Sequence, residues 1–319
     1  ITLTIDVADR GTLGTLIEEA AAEKGGTIYD VVGITVTGNL NQDDLRTLAA
    51  MCTGVYSLTT IDLGGANIEG NYIGNNMFRD HEKLTSIVLP ETLEYINEAS
   101  FRNCDGLTSI DIPASVKRIW HNAFSFCDNL TTVTGLEGLS ASDFYAAWDV
   151  FYSTAITHPV YGGSVFLYMP PSMTGEYEMP AGITMTTADA MRNSHLSTVI
   201  LPASLTILGD DTFRDCPNLT DIYCYATTPP ECVSGVWEFG FDRSACTVHV
   251  PASSVEDYQN ANEWRDMGRI VGIVTGELAD LTINVATAGT LNDALFDAAV
   301  AAAEISDKVL IRNLTVTGS

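Results

Sequence analysis

Apolar residues recur at fixed intervals through the middle of the chain. The segment Leu84–Pro90 (LTSIVLP) returns as Leu107–Pro113 (LTSIDIP) and as Leu196–Pro202 (LSTVILP). After each proline come aliphatic residues three and six positions on, then Phe eleven, Cys fourteen and Leu seventeen positions on. The first two copies are 23 positions apart, which lies within the range of leucine-rich repeat lengths.

The spacing within one repeat predicts a short strand followed by a return segment. Successive residues of a strand point to opposite faces, so Ile87 and Leu89 would point inward while Ser86 and Val88 point outward. The proline ends the strand because it has no N–H to donate. Stacked repeats bury a core that one repeat cannot bury alone. We therefore expect an α/β repeat fold, a leucine-rich solenoid with a parallel sheet on one face.

Less regular repeats flank the three good copies. The repeat that starts at Leu58 is longer and has His81 at the position of the cysteine. Another irregular repeat starts at Leu130. Residues 157–176 are rich in Gly, Pro, Tyr and Met and predict a hairpin-like insertion that contains a strand at 165–168. The array then resumes, and we count about six repeats in all.

A second duplication relates the two ends of the chain. Residues 3–8 (LTIDVA) and 281–286 (LTINVA) each precede a Gly-Thr-Leu and an alanine-rich stretch. Downstream, 34–38 (ITVTG) matches 314–318 (LTVTG). Each copy predicts a strand, a helix and a strand, and we interpret residues 1–53 as an N-terminal cap module of the array.

The remaining boundaries follow from the repeats. The array is expected over residues 54–221, and its C-terminal cap over 222–276, with a short helix between Ser254 and Met267. Residues 277–319 would begin a second copy of the N-terminal cap module. We expect the natural protein to continue past Ser319.

Composition and charge exclude several classes of protein. Hydrophobic residues make up 46% of the chain and charged residues 18%, which is typical of a folded protein. The formal net charge of −26 would repel nucleic acid and anionic membranes. No apolar run approaches the length that a transmembrane helix needs.

Cysteine and histidine residues are the first candidates for chemistry. Cys104, Cys127 and Cys216 share one repeat position, which favours a buried column of small side chains, although Cys104 and Cys127 would also be within disulfide reach. Cys232 and Cys246 could pair. The sequence has no C-x2-C and no H-E-x-x-H, so we expect no metal, no cofactor and no catalytic site. The acidic pair Asp43-Asp44 is interpreted as part of a solvated turn at a helix start.

Binding would then depend on the outward positions of the predicted strands. These candidate ligand-binding residues are Thr60, Asp62, Ser86, Val88, Ser109, Asp111, Thr132 and Thr134. Thr198, Ile200, Asp221 and Tyr223 occupy equivalent outward positions further along. Trp148 and Tyr161, aromatic residues of the irregular region, are added because exposed aromatics anchor interfaces and stack on sugar rings. The alternative is that they pack the insertion against the array.

Residues 84–104, 107–127 and 196–216 share the motif L-x-x-I-x-L-P-x-x-L-x-x-I-x-x-x-x-F-x-x-C. In this motif the chain resembles the BspA-like leucine-rich repeat proteins of Bacteroidetes-type bacteria. The tail, with Tyr223–Pro230 (YCYATTPP), is similar to theirs as well. The resemblance implies a secreted or surface-anchored protein without enzymatic activity that binds host proteins, other cells or glycans. The competing hypothesis is a structural spacer that presents a further domain.

Overall fold

The computed structural model describes residues 1–139, 148–233, 235–237 and 240–273, and the backbones of two further strands, Asp280–Asn284 and Asn313–Thr317. Most strands of this part of the chain belong to one of two rows, here called the front row and the return row. A regular repeat, such as residues 84–106, contributes one strand to each row, and the strands that pair within a row are parallel. The predicted parallel sheet is confirmed.

The front row carries the longer strands. They pair in three groups, with breaks after the fourth and the sixth strand. In chain order they are Thr2–Val7, Gly33–Leu40, Thr60–Asp62, Ser86–Val88, Ser109–Ile112, Thr132–Gly135, Thr174–Glu178, His195–Leu201, Asp221–Cys224, Thr247–Pro251 and Arg269–Ile273. Their alternation places Ile87 and Ile110 in the core and leaves the intervening residues accessible.

The return row carries short strands from the second half of each repeat. They are Tyr72–Ile73, Tyr95–Ile96, Arg118–Ile119, Val165–Tyr168, Met185–Thr186, Ile207–Leu208 and Glu231–Cys232. Two further strands extend the sheets: Ala66–Ile68 pairs with Gly33–Leu40, and Val160–Gly162 pairs antiparallel with Val165–Tyr168. Inward residues of both rows pack together in two core clusters, one with Ile87 and Ile96 and the other with Val199 and Leu208.

Tight turns follow the return strands, and the sequence pattern did not predict their backbone. Each turn has two left-handed residues, two positions before and two positions after the large apolar residue of the repeat. The pairs are Asn76 and Asp80, Ala99 and Asn103, Asn122 and Phe126, Asp149 and Ser153, Asp189 and Asn193, and Asp211 and Asp215. Asn and Asp dominate because they tolerate this conformation better than other residues with a Cβ.

Backbone hydrogen bonds join these turns from repeat to repeat, and we call this series the turn ladder. Phe78 N donates to Ser100 O at 2.7 Å, Phe101 N to Ala123 O at 2.8 Å and Phe124 N to Val150 O at 2.9 Å. The turn ladder is a third line of contact between repeats, beside the two rows of strands.

The phenylalanines of the repeats form a stacked column inside the turns. Ring centroids are 5.3 Å apart for Phe78 and Phe101, 5.2 Å for Phe101 and Phe124, and 5.5 Å for Phe124 and Phe151. Neighbouring rings are within 8° of parallel. All four side chains are fully buried. Each ring therefore packs against the repeats on both sides as well as within its own.

The repeat cysteines form a buried column beside the rings. Cys104 Sγ donates to Phe78 O at 2.9 Å, Cys127 Sγ to Phe101 O at 3.1 Å and Cys216 Sγ to Met191 O at 3.1 Å. The buried-column interpretation is thus confirmed, and the thiols are unpaired. Cys232 and Cys246 are free thiols as well, so the pairing considered for them is not formed.

Two helices lie at the start of the chain, α1 (Leu13–Glu23) and α2 (Gln42–Met51). Each has an apolar face that packs into the core, with Leu13, Ile17 and Ala21 buried in α1. Asn41 caps α2 by accepting from the N–H groups of Asp43 and Asp44. The solvated-turn interpretation holds for Asp43, which is exposed, but it is wrong for Asp44, which is buried beneath the start of α1.

Residues 157–176 contain a hairpin, as expected, in which Val160–Gly162 pairs antiparallel with Val165–Tyr168. The expected strand at 165–168 is present, but it continues the return row by pairing with Met185–Thr186. Thr174–Glu178 belongs to the front row and pairs with His195–Leu201. The segment therefore supplies strands to both rows instead of leaving the array.

The chain from 222 onward combines strands with short helices. The expected short helix is α3 (Val255–Asn260), which a 3-10 turn, Trp264–Asp266, follows. Tyr258 Oη donates to Ala226 O at 2.9 Å and Trp264 Nε1 donates to Pro230 O at 2.8 Å. These buried hydrogen bonds attach the helical segment to the proline-rich turn. Other 3-10 turns are Ile28–Asp30, Glu69–Asn71 and Ala252–Ser254.

Candidate functional site

The outward side chains of the front row lie in register from strand to strand. Thr60 is opposite Ser86, and Asp62 is opposite Val88. In the next pair of strands Ser109 is opposite Thr132, and Asp111 is opposite Thr134. All eight predicted residues are exposed or half-buried. The structure therefore brings them together in pairs on one accessible face.

Local hydrogen bonds hold the carboxylates of this face in place. Thr134 Oγ1 donates to Asp111 Oδ1 across the strands, and Gly64 N donates to Asp62 Oδ1 at 2.9 Å. Each carboxylate keeps a further oxygen that can accept from a ligand. The small residues around them leave the backbone accessible, so this part of the face suits hydrogen bonding to an extended partner.

Trp148 lies away from this face. Its carbonyl oxygen accepts from Asn122 N in the turn ladder, and its ring stacks on His121 with centroids 3.4 Å apart. Tyr161 belongs to the hairpin strand Val160–Gly162, where it stacks on the buried ring of Phe166. Both side chains are close to half exposed. The structure separates Trp148 from the other predicted residues, and each aromatic packs on one face and is open to solvent on the other.

An aromatic cluster lies near the far end of the front row, and strand alternation predicts only part of it. Tyr223 stacks on His249 with centroids 4.1 Å apart, and His249 Nε2 lies 2.9 Å from Asp221 Oδ1. Tyr225, two positions further along the chain, is 40% exposed. We call Asp221, Tyr223, Tyr225 and His249 the aromatic end. Outward alternation identified Asp221 and Tyr223, and the same rule applied to the strand 247–251 would have found His249.

The described residues do not form an arrangement typical of metal binding or a membrane span. Among them, no group of three or more His, Cys, Asp or Glu side chains is placed to hold a metal ion. None of the helices in the described part of the chain has the length and hydrophobicity to cross a bilayer.

The thiols are expected to be unreactive in the folded protein. Burial raises the pKa of Cys52, Cys127 and Cys246 to about 12, and it raises the pKa of the other four thiols as well. The reactive thiolate is then scarce at pH 8. Iodoacetamide should label the native protein at least ~100-fold more slowly than the urea-unfolded protein, as measured by mass spectrometry. Labelling of Cys104 or Cys127 at the unfolded rate would contradict the buried column.

The repeat pattern on these strands matches a known family model. The model describes the BspA type leucine-rich repeat region, and six copies match residues 53–166 and 172–229, which is more than half of the chain. The chain belongs to the BspA-type leucine-rich repeat family. The resemblance predicted from the motif is thereby confirmed. The match includes the front-row strands from Thr60–Asp62 to Asp221–Cys224, and no catalytic family is indicated.

Three solved structures of leucine-rich repeat or antigen proteins are similar to this BspA-type chain. One is a leucine-rich cell surface protein from Faecalibacterium prausnitzii, at 16% identity over 86% of this chain and 88% of that chain, with a TM-score of 0.36. Another is a leucine-rich repeat protein from Bacteroides ovatus, at 17% identity over 80% and 67%, with a TM-score of 0.46. The pneumococcal vaccine antigen PcpA matches at 13% identity over 93% and 81%, with a TM-score of 0.27. No curated protein matches the chain at a significant level.

Proposed function

We propose that this chain is a non-catalytic, extracellular or cell-surface adhesion module that binds a protein ligand on its front row. The observation that carries the proposal is the set of accessible outward side chains that recurs along the front row, at Thr60, at Asp111 and Thr134, and again at the aromatic end. A face of this kind offers many hydrogen-bonding groups to an extended partner, and its rings add apolar area.

The aromatic end is the part of the face best suited to anchor a ligand. Tyrosine provides a large contact area with little loss of conformational entropy, and it is enriched among the residues that dominate binding energy. Stacking on His249 already fixes the ring of Tyr223. The same rings could stack on a sugar, so a glycan on a host or neighbouring cell is the second class of ligand for this site.

The resemblance to BspA-like proteins supports a secreted or surface location for this chain. The net charge of −26 supports a partner other than nucleic acid, because a phosphate backbone would be repelled. Within the module, we infer that residues 1–53 and 222–276 cap a solenoid. The packing of α1 and α2 at one end, and the hydrogen bonds of Tyr258 and Trp264 at the other, support these caps.

A spacer that presents a further domain is the second candidate function. It is favoured by the strand pair near the end of the chain, in which Leu281 is opposite Leu314 and Ile283 is opposite Val316. The first pair of the chain has the same parallel register, with Leu3 opposite Ile34 and Ile5 opposite Val36. A repeated module of this kind supports an arrangement of several arrays in tandem.

Substitution of Tyr225 by alanine tests the front row as a binding face. Purified protein is first assayed against immobilised extracellular-matrix proteins, mucins and a glycan array at physiological salt. For a saturable ligand, we expect Tyr225→Ala to weaken binding at least ~10-fold, because truncation of an anchoring tyrosine costs about 2 kcal/mol or more and each ~1.4 kcal/mol is tenfold in Kd. The measurement is the Kd by surface plasmon resonance.

Tyr95→Ala is the matched control for this experiment. Tyr95 is 36% exposed against 40% for Tyr225, and it lies on a short strand of the return row, whereas Tyr225 directly follows the front-row strand Asp221–Cys224. We expect Tyr95→Ala to leave the Kd unchanged. Equal weakening by both substitutions would place the binding site elsewhere, and the absence of any ligand across the panel would favour the spacer.

A further inference from the structure

In the described part of the chain, the array is irregular after the turn that carries Asp149 and Ser153. The regular turns are linked by the turn ladder, for example through Phe124 N and Val150 O. In the next unit, Pro170 and Pro171 follow Met169 directly, and the described segment 164–174 has no left-handed residue. Met169 N continues the turn ladder to Ala190 O, but proline has no N–H to extend it. The shortened unit leaves a gap between the turns on either side.

This gap is a cavity of about 310 Å³, and both flanking turns line it. Asp149 and Tyr152 come from one turn, and Asp189 and Arg192 come from the other. Tyr168 and Pro171 of the shortened unit also line it. The volume is at the lower end of the range of small-molecule sites, which begins near ~300 Å³.

The charged groups of the cavity are largely buried and imperfectly paired. Only 11% of the Asp189 side chain is exposed, against 20% for Asp149 and 24% for Arg192. Arg192 Nη1 lies 3.5 Å from Asp189 Oδ1 and 3.8 Å from Asp149 Oδ1, both long for a direct hydrogen bond. Within the described part of the chain, Asp189 Oδ1 is buried and accepts no hydrogen bond, and Arg192 Nε is a buried donor whose nearest carboxylate, that of Asp215, is 4.0 Å away. A buried acceptor of this kind is stabilised by a donor that enters the cavity.

Negative charge exceeds positive charge around this cavity. The carboxylates of Asp149, Asp189, Asp211 and Asp215 surround the guanidinium groups of Arg192 and Arg214, and the charge of Arg102 also acts on Asp149. Arg214 is already engaged by Asp211 at 3.1 Å. Four carboxylates against three guanidinium groups leave one excess negative charge. An anionic ligand is therefore disfavoured, and a cationic one is favoured.

Aromatic rings complete the surroundings expected for a cation. The guanidinium carbon of Arg192 lies 5.4 Å from the centroid of Tyr152, whose ring therefore already faces a positive charge. Tyr168 supplies a second ring at the wall of the cavity. Cations are attracted to the faces of such rings, most strongly where water is partly excluded.

We propose that this cavity is a second binding site, separate from the front row, that holds the primary ammonium group of a small organic cation against the carboxylates of Asp149 and Asp189, beside Arg192. The ammonium supplies the hydrogen-bond donor that Asp189 Oδ1 needs, and its charge offsets the excess of carboxylates. The alkyl part of the ligand packs on the tyrosine rings. The cation can come from a free amine or from a lysine side chain of a partner, since both carry the same group.

The cavity also predicts how binding depends on pH. Burial and the neighbouring charge of Asp149 raise the pKa of Asp189 to about 7, against the opposing charges of Arg192 and Arg214, while Asp211 adds to the rise. Burial raises the pKa of Asp149 as well, against the opposing charges of Arg192, Arg214 and Arg102. An ammonium ligand prefers the ionised carboxylates, so its affinity should rise with pH through this range. A neutral ligand would not show this dependence.

Calorimetric titration of the full chain tests the proposal with four probes at low salt. Cadaverine represents the free amine and Nα-acetyl-lysine amide represents a partner's side chain. The neutral counterparts are diacetylcadaverine and Nα,Nε-diacetyl-lysine amide. We expect saturable binding of one or both ammonium probes, no binding of either neutral probe, and affinity about tenfold higher at pH 8 than at pH 6, since an ammonium of this type stays protonated to about pH 10. Preference for one ammonium probe identifies the source of the cation.

Asp189→Asn is the variant that localises the site, and Asp80→Asn is its matched control, an exposed left-handed aspartate in the turn of a distant repeat. Asp189→Asn should weaken ammonium binding at least ~10-fold and remove the pH dependence, whereas Asp80→Asn should change neither. Thermal unfolding verifies that both variants fold, and Asp149→Asn replaces Asp189→Asn if the latter does not. Equal binding of charged and neutral probes, no binding of any probe at 10 mM, or equal effects of the two variants would overturn the proposal.

Discussion

Replacement of Phe101 by alanine should lower the free energy of unfolding by about 3–5 kcal/mol, the usual range for a fully buried phenylalanine. The ring is stacked between those of Phe78 and Phe124 at 5.3 and 5.2 Å, so its loss opens a void in the middle of the column. Neighbouring repeats cannot close this void because the turn ladder fixes their separation, with Phe101 N bonded to Ala123 O. The measurement is urea unfolding followed by circular dichroism.

Phe126→Ala is the control that distinguishes the effect of disrupting the phenylalanine column from the effect of removing any aromatic ring. Phe126 belongs to the next repeat and is half-buried outside the column, where the guanidinium of Arg102 lies 4.8 Å from its ring centroid. Its removal should cost about 1 kcal/mol, the scale of a partly exposed cation–π contact. If Phe126→Ala were as destabilising as Phe101→Ala, the column would not be the main link between these repeats.

The column also shows what the sequence could establish. A Phe, a Cys and two aliphatic residues at constant offsets place the same side chains one above another in any stacked array, and the structure contains this arrangement. The role of the cysteine needed coordinates, because its thiol donates to the backbone carbonyl of the large apolar residue in the preceding repeat, and this geometry depends on the turn. The Asn and Asp residues on either side of the Phe were the available signal for that turn.

The candidate site was predictable where it follows from strand alternation and not elsewhere. Thr60, Ser109 and Asp111 are outward because the strand period is two, whatever the rest of the fold does. Trp148 follows an irregular stretch of sequence that does not keep the repeat length. Its repeat position, and hence its place in the turn ladder, could therefore not be assigned from spacing. The cavity beside Asp189 arises from residues about forty positions apart, Asp149 and Asp189, that a shortened unit brings together.

Asp44 is a case in which composition gave the wrong expectation. In a chain with 41 acidic residues, an adjacent pair such as Asp43-Asp44 is expected to be solvated. Asp44 is instead 1% exposed and accepts three hydrogen bonds from backbone N–H groups, at 2.8 Å from Gly11, 3.1 Å from Leu13 and 3.0 Å from Asn41. One carboxylate thus caps the start of α1 and also completes the capping box of α2.

Substitution of Asp44 by alanine should therefore cost about 3 kcal/mol or more in the free energy of unfolding. Three backbone donors lose their acceptor at once, and an unsatisfied buried donor costs about 1–3 kcal/mol. Because two of these donors belong to the start of α1 and one to the cap of α2, both helices should loosen together. Hydrogen exchange should show this as faster exchange in Leu13–Glu23 and Gln42–Met51.

Asp43→Ala is the control that identifies the cause. Asp43 and Asp44 both lie in the first turn of α2, so both carboxylates interact with the positive end of its dipole, an effect of about 0.3–1 kcal/mol. Asp43 is exposed and pairs only with Arg46 on the surface. If the dipole dominated, the two substitutions would have similar effects. If the buried hydrogen bonds dominate, as the geometry requires, Asp43→Ala should lower the free energy of unfolding by no more than about 1 kcal/mol. Asp44→Ala should instead speed hydrogen exchange in both helices.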